Sequence, residues 1–301
     1  MSGTTPTTAF AAYGTEGGRP LRNATPRSLC AFLAASAAFG LLLPRLLFGG
    51  QDPSRFTCAP GSEYSGWCDP NALDVAVTDA VVVAPKATGL LSHAFTFVAS
   101  PAVGISSMVR LRSRGTLAPD LAIYSGTQLV SFGLNSMSKK FSRRQRPCYH
   151  FGRQNETEAV ILRGQEWVSF YSGDTSCGFS LYAAALALVA ARGWRTQART
   201  LSKVGGAVAS IGSFLRIVGF MHWFTDVLVG VIFGIAVGFG LPTLLFSAEP
   251  PKEAFANAFG FRSQADGAPG GDGAGGLLLS NEATRPSGSA ESAAGGDSDV
   301  P

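Results

Sequence analysis

Charge is scarce in this chain. Only 15% of its 301 residues are Asp, Glu, Lys or Arg, while 46% are hydrophobic and the mean hydropathy is +0.20. Soluble domains carry about 25% charged residues, so an ordinary soluble domain is excluded. Internal repeats are missing as well, which sets aside solenoids and arrays. No small-x-small cleavage site follows the first apolar block, so that block is expected to stay as an uncleaved helix behind its long basic leader. The net charge of +4 is unremarkable, and no nucleic-acid partner is expected.

What is present is apolar length. Six blocks stand out: Leu29 to Phe48, Gly89 to Val109, Leu117 to Met137, Cys177 to Ala191, Val204 to Phe220 and Phe224 to Phe246. A hydrocarbon core of about 30 Å takes about 20 helical residues to cross, and most of these blocks approach that length. The fold class expected is an all-α, polytopic, six-helix transmembrane bundle. The stretch Asn71 to Lys86 is half polar and predicts an interfacial helix leading into the second block.

Basic residues set the orientation. Arg19, Arg22 and Arg27 precede the first block, Arg110, Arg112 and Arg114 follow the second, and Arg192, Arg195, Arg199 and Lys203 follow the fourth. Short loops rich in Lys and Arg stay cytoplasmic, so both termini are expected inside, with the loops after blocks one, three and five outside. Residues 1–27 and 247–301 are rich in Thr, Gly, Ala, Ser and Asp and predict disordered cytoplasmic tails around a membrane domain over 28–246. Cys58 and Cys68 share the first outer loop, where a disulfide would form in an oxidising compartment; Cys148 and Cys177 are a second, weaker candidate pair.

Against that orientation, one outer loop is strongly basic. It begins "SMSKKFSRRQRPCYHFGR" and carries Lys139, Lys140, Arg143, Arg144 and Arg146. Such a cluster either snorkels to headgroups or meets an anion. Between the last two blocks, "SFLRIVGFMHWFTDVLVG" holds Arg216, His222 and Asp226. His222 and Asp226 are spaced i, i+4, so on a helix the carboxylate could accept from one ring nitrogen and leave the other free to attack. An ionisable residue inside an apolar helix is itself a functional signal. Before the fourth block, "SFYSGDTSCGF" places Ser172, Gly173 and Asp174 at a helix N-terminus. The topology puts all three segments at one membrane face, where ionisable groups near a transporter's midplane would not be.

These segments resemble the type 2 phosphatidic acid phosphatase (PAP2) family, which shares its site with glucose-6-phosphatase and vanadium haloperoxidases. The family's Lys, six residues, Arg-Pro is matched by Lys139, Arg146 and Pro147. Its Pro-Ser-Gly-His is matched at Ser172 and Gly173, with Tyr171 in place of the proline and Asp174 in place of the histidine. Its Ser-Arg, five residues, His, three residues, Asp is matched by Arg216, His222 and Asp226, with Leu215 in place of the serine. The resemblance implies a PAP2/haloperoxidase-like bundle. In it Lys139, Arg146, Arg216, Ser172 and Gly173 would hold a phosphoryl group, His222 would be the nucleophile and Asp226 its orienter. It implies no metal and no cofactor, because the cations already spread the charge of the transition state. The partners implied are the bilayer and a membrane lipid phosphate or diphosphate. Richness in Ala, Gly and Arg suggests a bacterial inner membrane with the site facing the periplasm.

Asp174 leaves three outcomes open. The family histidine at this place protonates the leaving oxygen, whereas an ordinary aspartate titrates at about 3.9, about three units short of neutrality. One outcome is preference for a leaving group that needs no proton. An alkoxide has a conjugate acid with a pKa of about 16, close to water, but a phosphate titrates at about 6, so a polyprenyl diphosphate fits and phosphatidic acid does not. A second is that His150 supplies the proton. The third is weak or lost catalysis in a phospholipid-binding or scaffold protein; a phosphotransferase using the same phosphohistidine is a further alternative.

Overall fold

A computed structural model describes residues 20–48, 70–81, 85–110, 116–157, 166–248 and 250–259. Every regular element among them is helical. Helix α1 (Pro26–Ala37) starts at Thr25, whose side chain accepts the Ser28 N–H, with proline at the first turn where its missing N–H costs nothing. It runs through a π turn (Ala38–Leu42) into α2 (Leu43–Phe48). After α3 (Ala72–Ala80), the helix α4 (Pro85–Ala94) continues through a second π turn (Phe95–Ala99) into α5 (Ser100–Arg110). Then follow α6 (Leu117–Ser142), the short α7 (Pro147–His150), α8 (Gly173–Ala191), α9 (Arg195–Val218), α10 (Phe224–Phe246) and α11 (Pro251–Phe259).

Among the described residues, five stretches are long and apolar enough to cross a membrane: Pro26–Leu47, Lys86–Arg110, Gly173–Ala191, Arg195–Val218 and Phe224–Phe246. Their outer faces are apolar too, with Leu90 at 76% and Leu244 at 70% exposure. Such a surface suits lipid rather than water. The chain is therefore an all-helical, polytopic integral membrane protein. The sixth expected span, α6, is the longest helix, yet it falls outside this set because Asp120, Gln128, Asn135, Lys139 and Lys140 interrupt it.

Helix α8 is the hub. After Asp174 it carries no charge until Arg192, and it is apolar all round, as a helix enclosed by others should be. It packs against α5, α6, α9, α10 and α11. Helix α6 runs antiparallel to it, since Arg192 Nη2 reaches Asp120 Oδ1 (2.7 Å) at one end while Asn135 Nδ2 donates to the Tyr171 carbonyl (3.0 Å) at the other. The α8–α10 contact is closest. A Cβ placed on Gly234 would stand 2.7 Å from Phe179 Cβ and from the Ser176 carbonyl oxygen, so only a bare backbone fits.

Several boundaries differ from those expected. Helix α9 begins at Arg195, so Arg195, Arg199 and Lys203 lie on its first turns rather than in a loop. The supposed interfacial segment is α3, whose Asp74 and Thr78 are buried. The tail expectation also needs correction at residues 250–259. Ala254 and Ala258 of α11 are buried and Phe255 packs edge-to-face on Phe239 at 5.4 Å, because one face of this short helix is apolar at i, i+4 spacing. On the N-terminal side, the Arg22 N–H donates to the Phe246 carbonyl (2.7 Å), so the chain enters α1 and leaves α10 at the same end.

Gly234→Val should separate α8 from α10 and cost about 1–3 kcal/mol, read as a lower unfolding midpoint in detergent. Gly240→Val, where a Cβ meets nothing within 4 Å, should be neutral. Equal midpoints for the two variants would contradict the close approach.

Candidate active site

The expected site residues come from six places in the chain. Lys139 is in the last turn of α6, Arg146 caps α7, Ser172 caps α8 ahead of Gly173 and Asp174, and Arg216 is in the last turn of α9. His222 lies in the turn between α9 and α10, and Asp226 is in the first turn of α10. Cys58 and Cys68 fall outside the described residues. Cys148 and Cys177 are free thiols, so the second candidate disulfide does not form.

A buried clamp holds these loops together. Asp226 Oδ1 accepts from Arg144 Nη1 (2.7 Å), and its Oδ2 accepts from Ser169 Oγ (2.5 Å) and from the Trp223 N–H (3.0 Å). The other arm of Arg144, Nη2, reaches Asp74 Oδ2 (2.6 Å). Asp74 also takes the N–H (2.9 Å) and hydroxyl (2.8 Å) of Thr225. Backbone bonds extend the clamp: Ser169 N–H to the Arg144 carbonyl (3.0 Å), Arg146 N–H to Glu166 (2.9 Å), Cys148 N–H to Phe220 (3.0 Å) and Ser172 N–H to Asp226 (3.1 Å). Arg144 thus meets carboxylates of the protein itself, not an external anion as the basic cluster suggested.

His222 is 1% exposed. Its Nδ1 lies 2.7 Å from the Ser169 carbonyl oxygen and 3.8 Å from Asp226 Oδ2. A carbonyl only accepts, so Nδ1 carries the proton and Nε2 keeps its lone pair. This corrects the expected contact. His222 precedes α10 instead of lying on it, so the i, i+4 geometry does not apply, and the direct acceptor is Ser169. Asp226 acts through the Ser169 hydroxyl and the clamp. Local backbone fixes the arginine-to-histidine spacing, because the Arg216 carbonyl accepts both the Met221 (3.1 Å) and His222 (3.2 Å) N–H groups. Arg146 Nη1 donates to the Met221 carbonyl beside it (3.4 Å). Burial, then the charges of Arg146, Arg216 and Lys139, push the His222 pKa well below that of an ordinary histidine, leaving the ring neutral.

At the α8 N-terminus, Ser172 Oγ accepts from the Thr175 hydroxyl (2.9 Å) and N–H (3.4 Å), which leaves its own hydrogen to donate. The Gly173 N–H has no intrahelical acceptor, being at the first position. Asp174 Oδ2 pairs with Arg216 Nε at 2.9 Å and faces His93 Nδ1 at 3.6 Å. His150 is exposed and packs its ring edge-on against Trp223 at 5.5 Å; no ion pair or hydrogen bond joins it to Asp174. Among the described residues, no group of three or more His, Cys, Asp or Glu could hold a metal ion. The arrangement sets a neutral imidazole in the field of Arg146, Arg216 and Lys139.

Sequence reasoning did not find Asp74, Ser169 or the role of His93. Asp74 lies 70 residues from Arg144, and nothing local marks it beyond a lone carboxylate in an amphipathic stretch. Ser169 acts through its carbonyl, which any residue has. His93 was visible only as a polar residue in an apolar block.

Residues 120–249 match the PAP2 superfamily. No curated protein matches the chain. All the expected phosphoryl-site residues lie within the matched stretch, whereas Asp74 and His93 lie outside it.

Removing one partner of a buried ion pair leaves a stranded charge at a cost of about 3–5 kcal/mol. Arg144→Ala should therefore lower the unfolding midpoint sharply and should expose Trp223, detectable as a red shift in its fluorescence. An unchanged midpoint would mean that the Asp74–Arg144–Asp226 clamp does not hold the loops.

Proposed function

From the membership of residues 120–249 in the PAP2 superfamily, we propose that the protein is a membrane phosphohydrolase acting on a lipid phosphomonoester or, preferentially, a lipid (polyprenyl) diphosphate through a phosphohistidine. The observation that carries this reading is the His222 ring. With its Nδ1–H given to Ser169, it presents a neutral Nε2 lone pair among Arg146, Arg216 and Lys139. Those three cations would hold the nonbridging oxygens by charge-assisted hydrogen bonds, with Ser172 O–H and Gly173 N–H adding neutral donors at a helix N-terminus. His222 Nε2 would attack phosphorus in line with the departing oxygen, and water would then hydrolyse the phosphohistidine. Asp226 holds the ring's support in place through Ser169 and so stabilises the charge that develops on the imidazole.

The preference for diphosphates rests on Asp174. Its carboxylate is tied to Arg216 at 2.9 Å and is a poor source of a proton, so a leaving group that departs as an anion is favoured. The same pair supports a second reading, a phospholipid-binding protein of low turnover, because Asp174 occupies one of the cations a phosphate would need. Helix α6 serves as the sixth span, and residues 28–246 form the catalytic unit. The basic residues between spans support a site on the outer face, and the richness in Ala, Gly and Arg supports the periplasmic face of a bacterial inner membrane.

Phosphate release from lipid monophosphates and diphosphates in mixed micelles tests the reading. His222→Ala should lower turnover by about 10⁴- to 10⁶-fold, and retained activity would remove His222 as the nucleophile. Because the His222 pKa is lowered, the ring stays neutral to well below pH 6.5. Turnover should therefore persist on the acid side of pH 6.5 rather than halve there. A titration of kcat/KM with an acid limb at an ordinary histidine value would contradict the buried, cation-flanked geometry.

A further inference from the structure

Asp174 lies against a histidine from outside the matched stretch. Its Oδ2 is 3.6 Å from His93 Nδ1 and 2.9 Å from Arg216 Nε, so one carboxylate oxygen links an imidazole to a candidate phosphate-binding cation. The imidazole belongs to α4, a different helix from any that carries the phosphoryl-site residues. Helix α4 is fixed against α9 beside this point, and the His93 ring is steadied by its own helix. Ser92 Oγ donates to the Gly212 carbonyl (2.8 Å), one turn before Arg216, and the His93 ring stacks on Phe97 one turn along at 5.7 Å and 25°. The His93 side chain is 36% exposed and Asp174 15%, so the pair sits at the rim of the site rather than beneath it.

We propose that His93 is the proton donor to the leaving oxygen of phosphomonoester substrates, with Asp174 as its positioning carboxylate. This deepens the hydrolase reading above and rests on it. A carboxylate facing Nδ1 orients that side of the ring, which leaves the Nε2–H of the protonated imidazole to be given away. In the first step the bond between phosphorus and the leaving oxygen breaks as the bond from His222 Nε2 to phosphorus forms. The His93 Nε2 proton passes to that oxygen, so a neutral alcohol departs and His93 becomes neutral. In the second step, common to both substrates, a water oxygen bonds to phosphorus, the phosphorus–nitrogen bond breaks to free neutral His222, the water protons leave with the phosphate, and the rim-exposed His93 regains its proton from solvent. Asp174 remains a carboxylate throughout. A lipid diphosphate, whose leaving phosphate departs as an anion, does not need the first transfer. His93 would thus decide whether monoesters are substrates at all.

The test compares one lipid monophosphate with one lipid diphosphate, using the full-length protein in mixed micelles. His93→Gln should lower monophosphate turnover by about 10²- to 10⁴-fold and change diphosphate turnover by less than about threefold. Asp174→His in that background should restore monophosphate turnover by at least about tenfold, since an imidazole is returned beside Arg216; a merely structural His93 would show no such rescue. An equal loss on both substrates, or no loss on either, overturns the assignment, as does a wild type that turns over only the diphosphate. In each of those cases the hydrolase reading survives provided that His222→Ala abolishes the remaining turnover. If wild type releases phosphate from neither substrate, the hydrolase reading falls and the role of His93 with it.

Discussion

The site depends on one buried ion pair, Arg144 to Asp226 at 2.7 Å. Both charges are removed from water, and such a pair is tolerated only when the remaining donors and acceptors are also satisfied. Here all but Arg144 Nε are met, by groups from widely separated segments: Asp74 and Thr225 on the arginine, Ser169 and the Trp223 N–H on the aspartate. Ser169, Trp223 and Thr225 each lie within three residues of a candidate site residue, Ser172 or His222. Satisfying two buried charges therefore also sets where Arg146, Ser172 and His222 stand.

The same arrangement separates two kinds of charge. Arg144 is neutralised by carboxylates within the protein, while Lys139, Arg146 and Arg216 surround the His222 ring. Holding cations around an imidazole in a dry setting suppresses its protonation. A bound phosphate would offset that repulsion, so the cost of assembling the cations is returned when an anion arrives. Asp174 moderates this by pairing with Arg216, and it links the cationic cluster to His93 on a helix that the family match does not cover.

Much of the fold was legible along the chain because lipid imposes a length rule on every span. The apolar blocks mark the five membrane-crossing helices, though their ends shift where weakly polar turns extend them, as at Arg195 and Pro85. The third block was legible as a helix but fails the apolarity rule, because α6 spends polar residues on α8 and on the loop before it: Asp120 on Arg192, Asn135 on Tyr171. Motif spacing singled out Lys139, Arg146, Ser172, Arg216 and His222 as candidates, since each spacing is local to one segment. It misassigned the His222 acceptor because that contact crosses 53 residues to a backbone carbonyl.

By itself, then, the sequence determined what is set by local rules: which stretches cross the membrane, which end of the bundle is polar, and which side chains sit together within one motif. These follow from hydrophobic length, helix capping and short-range spacing, all of which one segment contains. Tertiary structure alone decided which carboxylate serves which cation, that a serine carbonyl fixes the imidazole tautomer, and that His93 faces Asp174. Those contacts join different helices, and burying a charge forces it onto whatever partner the packing brings within about 3 to 4 Å.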